Sequence, residues 1–145
     1  MPYIRVWIHA VWATKSRHPF LSKDIRQKVF DHIKSNAIKK EIFIDCVNGH
    51  ADHVHCLISL GGEQTIAKVI QLLKGESSFW INNQNLCREK FAWQDDYFAV
   101  SVSESVVDSV RAYIHNQEEH HNKKTFQQEY DEFMEKYGWK QVMLG

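Results

Sequence analysis

The stretch His50-Ala-Asp-His-Val-His-Cys-Leu-Ile-Ser-Leu60 carries the clearest structural signal in this chain. Its branched apolar residues, closed by two glycines, predict a β-strand. Because successive side chains of a strand point to opposite faces, His53 and His55 project from one face and Val54 from the other. Two imidazoles placed in this way can bind one divalent cation or one phosphate. The alternative is that both are ordinary surface histidines of a half-exposed strand.

Outward from this strand, the sequence pattern predicts the order β-α-β-β-α-β followed by two helices. The predicted strands cover residues 3–14, 42–47, 53–60 and 97–103, and the predicted helices begin near Ser22, Thr65, Ser103 or Ser105, and Thr125, the third running to about His121. This order indicates the α+β class, a ferredoxin-like (split β-α-β) four-stranded antiparallel sheet with helices on one face plus C-terminal helices. We expect the other face of the sheet, which carries the histidines, to stay open for a ligand.

Length and composition indicate one domain over residues 1–145. Lysine plus arginine equals aspartate plus glutamate at 18 each, so a polyanion must be bound by a local patch rather than by net charge. The three cysteines, Cys46, Cys56 and Cys87, form no C-x-x-C pair and are expected to be free thiols. No signal peptide or membrane span is apparent, so a cytoplasmic location without membrane contact is expected.

A second group of polar residues lies in Tyr113-Ile-His-Asn-Gln117 on the predicted third helix. Residues four apart share a helix face, so Tyr113 and Gln117 point the same way. Such a pair is common and means little alone. Together with the His-x-His strand it supplies a candidate nucleophile and a third oxygen ligand for a metal.

With these motifs in place, the chain resembles the small single-tyrosine HUH transposases of bacterial insertion sequences (IS200-like), including REP-associated tyrosine transposases. HUH denotes His, hydrophobic, His, here residues 53–55. The other matching landmarks follow in the family's order: Val11-Trp-Ala-Thr-Lys15, Phe91-Ala-Trp-Gln-Asp-Asp-Tyr-Phe98, Tyr113-Ile-His-Asn-Gln-Glu-Glu-His-His121 and Lys123-Lys-Thr-Phe126. The likeness extends over nearly all of the chain.

The resemblance implies a metal-dependent DNA transposase that cleaves and rejoins single-stranded DNA at the ends of a mobile element. It assigns Tyr113 as the nucleophile and His53, His55 and Gln117 as ligands of Mg²⁺ or Mn²⁺. Some relatives have a further acidic ligand before the first histidine, and the choice between His50 and Asp52 stays open. Relatives act on single-stranded or hairpin DNA as homodimers, and whether the tyrosine serves in cis or in trans also stays open.

The residue types suit this chemistry. A tyrosine ester of the 5′ phosphate conserves the energy of the broken phosphodiester, so no energy cofactor is needed. Tyrosine has a pKa near 10 and needs help to act as a nucleophile, which a divalent cation on the phosphate would provide. Imidazole ligands favour Mn²⁺ over Mg²⁺.

Two other functions fit the same residues. A domesticated protein could bind hairpin DNA without transposition, and an unrelated module could bind Zn²⁺ through His53 and His55 alone. The intact set with Tyr113 and Gln117 favours the transposase.

Further residues have weaker assignments. Candidate DNA contacts are Lys15, Arg17, Lys68 and Lys74. The pair His120-His121 is interpreted as a polar helix end rather than a second metal site. The aromatic residues of the last helix, Phe126, Tyr130, Phe133 and Tyr137, are interpreted as core or dimer contacts without a catalytic part.

Overall fold

The computed structural model describes residues 2–121 and 123–137, and its strands form one antiparallel sheet. The strand order is β2-β3-β1-β4. Their bounds are β1 Val6–Ala13, β2 Phe43–Gly49, β3 His53–Leu60 and β4 Phe98–Val102. This arrangement confirms the predicted α+β, ferredoxin-like fold.

The helices are α1 Lys23–Lys39, α2 Ile66–Asn83, α3 Val107–His115, α4 Gln117–His121 and α5 Phe126–Tyr137, with short 3-10 turns at Lys15–Arg17 and Glu104–Val106. The single helix predicted to run to His121 is therefore wrong, because the chain leaves helical geometry at Asn116 (φ −94°, ψ 19°). Among the described residues, no helix is long and apolar enough to cross a membrane.

One face of the sheet, here called the apolar face, packs against α1 and α2. Residues Val29, Ile33 and Ala37 recur at intervals of four along α1 and are all buried. They meet alternate side chains of β1 and β3: Ile8, Ala10, Trp12, Val54, Cys56 and Ile58. The prediction that Cys56 faces the core is confirmed.

The opposite face, here called the histidine face, carries His9, His53 and His55. The register pairs Val11 with His55 and Ala13 with His53, which puts both histidines of β3 beside the centre of the sheet. All three imidazoles are at least 95% buried, so they are not surface histidines.

The expectation that the histidine face stays open is wrong. Val107 and Ile114 of α3 pack on it, together with Trp7, Cys46, Leu57 and Val102 from the four strands. Arg111 ties α3 to β2, with its Nε 2.7 Å and its Nη2 2.9 Å from the carboxylate of Asp45. Because the helices after β4 cover this face, the candidate site lies inside the protein.

Candidate metal centre

The hairpin between β2 and β3 positions the first histidine through a close backbone approach. A Cβ atom on Gly49 would lie 2.1 Å from the carbonyl oxygen of His53, so only glycine fits there. The His50 amide donates to that same oxygen at 3.1 Å, and the Thr14 amide donates to the Asp52 carbonyl at 2.8 Å. The turn before His53 is therefore held by backbone contacts on both sides.

The ring of His53 is oriented by contacts at both nitrogens. Its Nδ1 lies 2.9 Å from Oδ1 of Asp52, an acceptor, so Nδ1 carries the proton. Its Nε2 lies 3.2 Å from Oε1 of Gln117. Phe126 of α5 stacks on the ring with centroids 4.2 Å apart. Histidines that bind a metal usually donate their other ring N–H to a carboxylate in this way, which fixes the tautomer and the orientation of the ring.

The Nε2 atom of His55 belongs to the same cluster of ligand atoms as His53. Its Nδ1 lies 2.9 Å from Nε2 of His9, and its Nε2 lies 2.7 Å from Oε1 of Glu129. Burial lowers the pKa of His55 to about 4 and that of His9 to about 3, so both imidazoles are neutral at pH 7. A neutral imidazole is the form that binds metal.

Tyr113 and Gln117 come to the same place from α3 and α4. Gln117 is fully buried, and its Nε2 lies 3.5 Å from the carbonyl oxygen of Tyr113. The tyrosine ring stands edge-on to His55, with centroids 5.6 Å apart. Burial, together with the negative charge of Glu129, raises the pKa of Tyr113 above its usual value near 10. The four residues predicted as the site are thus brought together within one chain.

Glu129 is a site residue that the sequence interpretation missed. It is 1% exposed, and although burial opposes its ionisation, contacts with His121 and His55 hold its pKa well below the usual range. The prediction of core or dimer contacts for this helix covers only its aromatic residues, of which Phe126 is buried, while the side chains of Phe133 and Tyr137 lie outside the described residues. The sequence did contain a signal for this residue. Glu129 lies between Phe126 and Tyr130 on the side of the helix that faces the core, and a carboxylate is buried there only when it is paired with another group.

The donor atoms fit a divalent cation. Ligand atoms of His53, His55 and Glu129 lie within 4.8 Å of one another. Within the described part of the chain, Nε2 of His55 and both carboxylate oxygens of Glu129 are buried without an aligned hydrogen bond. Converging lone pairs of this kind are destabilising without a cation between them. Imidazole nitrogen with carboxylate and amide oxygen suits Mn²⁺, Zn²⁺ or Mg²⁺.

Neither residue considered as an extra ligand belongs to this group. Asp52 contacts the far nitrogen of His53, and His50 stacks on His121 with ring centroids 5.2 Å apart. The extra carboxylate beside the histidines is that of Glu129.

The four candidate DNA contacts are not members of the histidine and carboxylate cluster. Lys15 and Lys68 are exposed. Arg17 lies 5.1 Å from the ring centroids of both Phe126 and Tyr130. The Nζ atom of Lys74 donates to the carbonyl oxygens of residues 94 and 95 at 2.5 and 2.9 Å.

His120 and His121 are not simply a polar helix end. Their Nε2 atoms lie 3.0 and 3.1 Å from Oε2 of Glu129, and the side chain of His121 is only 3% exposed. The sequence interpretation failed here because the carboxylate comes from the next helix.

Fold and site together define a ferredoxin-like protein with a buried histidine and carboxylate centre beside a tyrosine. The model of the "Transposase IS200 like" family matches residues 3–117. The chain belongs to this family, and its role is that of a transposase, a DNA-processing enzyme.

Individual relatives agree with this assignment. ISDra2 transposase TnpA of Deinococcus radiodurans is 27% identical over 115 residues, which cover 75% of this chain and 81% of the relative. A crystal structure described as a candidate transposase from Deinococcus radiodurans R1 is similar with a TM-score of 0.64 and 24% identity, covering 81% of this chain and 95% of that one. A REP-associated tyrosine transposase bound to a REP hairpin has a TM-score of 0.52 and 16% identity, covering 79% and 66%. The two structural matches support the fold.

Proposed function

We propose that this protein is a metal-dependent transposase that cleaves and rejoins single-stranded DNA through a 5′-phosphotyrosine at Tyr113. The observation that carries the proposal is the convergence of Tyr113, His53, His55 and Gln117 in one buried cluster. In this proposal residues 1–145 act as a single HUH transposase domain in the cytoplasm.

His53, His55 and Gln117 would hold Mg²⁺ or Mn²⁺, and Glu129 is a fourth available donor. When bound, the ion would supply positive charge and orient the scissile phosphate. The phenolic oxygen of Tyr113 would then form a bond to phosphorus while the bond to the 3′ oxygen breaks. The tyrosine loses its proton and the released 3′ end gains one, so no water is consumed and the step is reversible.

The DNA strand would approach along a cleft of about 1020 Å³ beside α5. The cleft is lined by Arg17, Gln94, Tyr97, Phe98, Phe126 and Tyr130, among others. The cleft combines the Arg17 cation with the exposed ring of Tyr97 and the partly exposed rings of Phe98 and Tyr130. This combination is suited to the backbone and bases of single-stranded DNA. Because a REP hairpin is bound by the structurally similar REP-associated transposase, hairpin DNA is the substrate to test first.

We further propose that the protein acts as a homodimer, as the resemblance to single-tyrosine HUH transposases implies. Tyr113 contacts His55 of its own chain, so the cluster assembles without help from a second copy. This contact favours cis use of the tyrosine.

The test uses 5′- and 3′-labelled hairpin oligonucleotides from the flanks of the encoding element, with Mn²⁺ or Mg²⁺. We expect a covalent protein–DNA adduct on a denaturing gel that is absent with Tyr113→Phe and with chelator. Tyr3→Phe is the matched control, because it removes the phenol of an exposed tyrosine that does not line the cleft and should leave the adduct intact. Hairpin binding without any adduct would contradict the proposal.

One observation favours the alternative, a domesticated protein that binds hairpin DNA without transposition. His53, His55 and Gln117 are fully buried beneath α5, whereas catalytic metal sites keep one position open to substrate. A hairpin mobility shift that is unaffected by metal or by Tyr113→Phe, in a protein that forms no adduct, would support this alternative.

A further inference from the structure

A second group of metal-ligand side chains lies where α4 meets α5. His120 and His121 end α4, and Glu129 reaches them from the first turn of α5. Nε2 of His120 is 3.0 Å and Nε2 of His121 is 3.1 Å from Oε2 of Glu129. The three donor atoms lie within 4.8 Å of one another.

The hydrogen bonds of His121 decide which ring nitrogen faces this group. Its Nδ1 lies 2.8 Å from the backbone carbonyl of Lys124, which can only accept, so Nδ1 carries the proton. In the neutral ring, Nε2 then presents a lone pair to Oε1 of Gln117 at 3.0 Å and to the Glu129 carboxylate. Facing acceptors repel one another unless a proton or a metal ion lies between them.

The burial of these atoms favours a metal ion over a proton. Glu129 is 1% exposed, and within the described residues neither of its oxygens, nor Nε2 of His120, has an aligned hydrogen bond. A protonated histidine paired with a carboxylate would donate a short, aligned hydrogen bond to it. The contacts here are short without that alignment.

We propose that His120, His121 and Glu129 form a second metal site that takes a divalent transition metal of the Zn²⁺ class. Ligand atoms about 2.1 Å from one ion lie about 3.0 to 3.4 Å apart at adjacent positions, which the two nitrogen–oxygen separations match. Two imidazoles with a carboxylate form a donor set that Zn²⁺ uses, whereas Mg²⁺ prefers oxygen ligands.

The second site is joined to the first through Glu129. Oε1 of this carboxylate faces His55 at 2.7 Å, while Oε2 faces His120 and His121. An ion bound by residues of both α4 and α5 would also stabilise the packing of α5 on the histidine face. The site does not depend on DNA cleavage, so it can be tested without DNA.

The experiment titrates the metal-free, full-length protein with Co²⁺, followed by its visible absorption, and then displaces Co²⁺ with Zn²⁺. We expect the wild type to bind two equivalents of Co²⁺. The double variant His120→Gln/His121→Gln should bind one equivalent, and so should His53→Gln/His55→Gln. The matched control Glu118→Gln/Glu119→Gln alters two exposed side chains of α4 and should keep two.

Circular dichroism checks that each variant is folded. The single change His120→Gln is milder, since that side chain is 22% exposed, and it should weaken the second equivalent about tenfold or more. One equivalent bound by the wild type, or two retained by His120→Gln/His121→Gln, would overturn the second site. A protein that binds two equivalents but forms no DNA adduct would instead reject only the proposed cleavage function.

Discussion

The apolar face and the histidine face of the sheet are both closed to solvent, but by opposite kinds of side chain. Phe30, Ile33 and Leu73 cover the apolar face, whereas Gln117 and Glu129 lie over the histidines on the other. Burial of apolar surface is favourable by about 25 cal/mol per Å². Burial of polar groups is unfavourable unless each is paired. The apolar face therefore accounts for most of the stability, whereas the histidine face carries the candidate metal ligands.

The polar groups of the two faces sharpen this contrast. On the apolar face, buried Ser77 accepts a hydrogen bond from Nε1 of Trp93 at 2.9 Å and donates to the Leu73 carbonyl at 2.7 Å. On the histidine face, the Glu129 carboxylate has no aligned donor among the described residues. Among the described residues, Nε1 of Trp12 on the apolar face also lacks a hydrogen bond, but an indole N–H is a donor and cannot bind a cation. Acceptor atoms that face other ligand atoms, as those of Glu129 do, support the proposed metal ion.

The largest effect on stability is expected from the apolar face. Phe30→Ala should lower the free energy of unfolding by about 3 to 5 kcal/mol, because it leaves a cavity between α1 and the sheet. Urea unfolding measures the loss. Under conditions where the variant is folded, its Co²⁺ affinity should equal that of the wild type. A large fall in metal affinity would mean that the two faces are not independent.

In contrast to Phe30→Ala, Asp52→Asn should weaken metal binding and leave the stability of the metal-free protein nearly unchanged. Asp52 accepts from Nδ1 of His53, and loss of such a partner weakens metal binding about 10- to 100-fold. We expect little change in the urea midpoint of the metal-free protein. Asp31→Asn, an exposed change on α1, serves as the control and should alter neither quantity.

A fall in pH should destabilise the metal-free protein through the buried imidazoles of the histidine face. Burial lowers the pKa of His55 from 6.5 to about 4, so between these pH values the unfolded chain takes up a proton that the folded chain does not. The free energy of unfolding should therefore fall as the pH drops below about 6.5, by on the order of 1 kcal/mol at pH 5.5. Urea unfolding from pH 5 to pH 8 measures this slope. Because burial lowers the pKa of His9 in the same way, His55→Asn should reduce the slope without abolishing it. If the variant had the same slope as the wild type, groups other than His55 would be responsible for the pH dependence of stability.

The smallest effect is expected at the edge of the histidine face. Hydrogen bonds from Arg111 hold the pKa of Asp45 below its usual range, so this contact stabilises the protein above about pH 4 and is lost at lower pH. Asp45→Asn should lower the Tm slightly at pH 7 and not at pH 3. Asp108→Asn alters a far more exposed partner of the same arginine and should have no measurable effect. A larger loss of Tm from Asp108→Asn than from Asp45→Asn would contradict this ranking.

Local sequence was sufficient for the fold. The alternation around His53 and His55 and the four-residue spacing along α1 depend on neighbours in the chain, and strand and helix geometry then decide which side each residue takes. The same rule placed Tyr113 and Gln117 on one side, although the break at Asn116 was missed.

By itself the sequence determined the order of the four strands and of α1 and α2, the common face of His53 and His55, and the proximity of Tyr113 to Gln117. Only the tertiary structure decided that the histidine face is closed and that Glu129 joins both groups of histidines. The physical reason is distance along the chain, because no local periodicity records which later helix packs on a sheet face. A carboxylate on α5 becomes a candidate ligand only when the packing of that helix buries it against the imidazoles of β3.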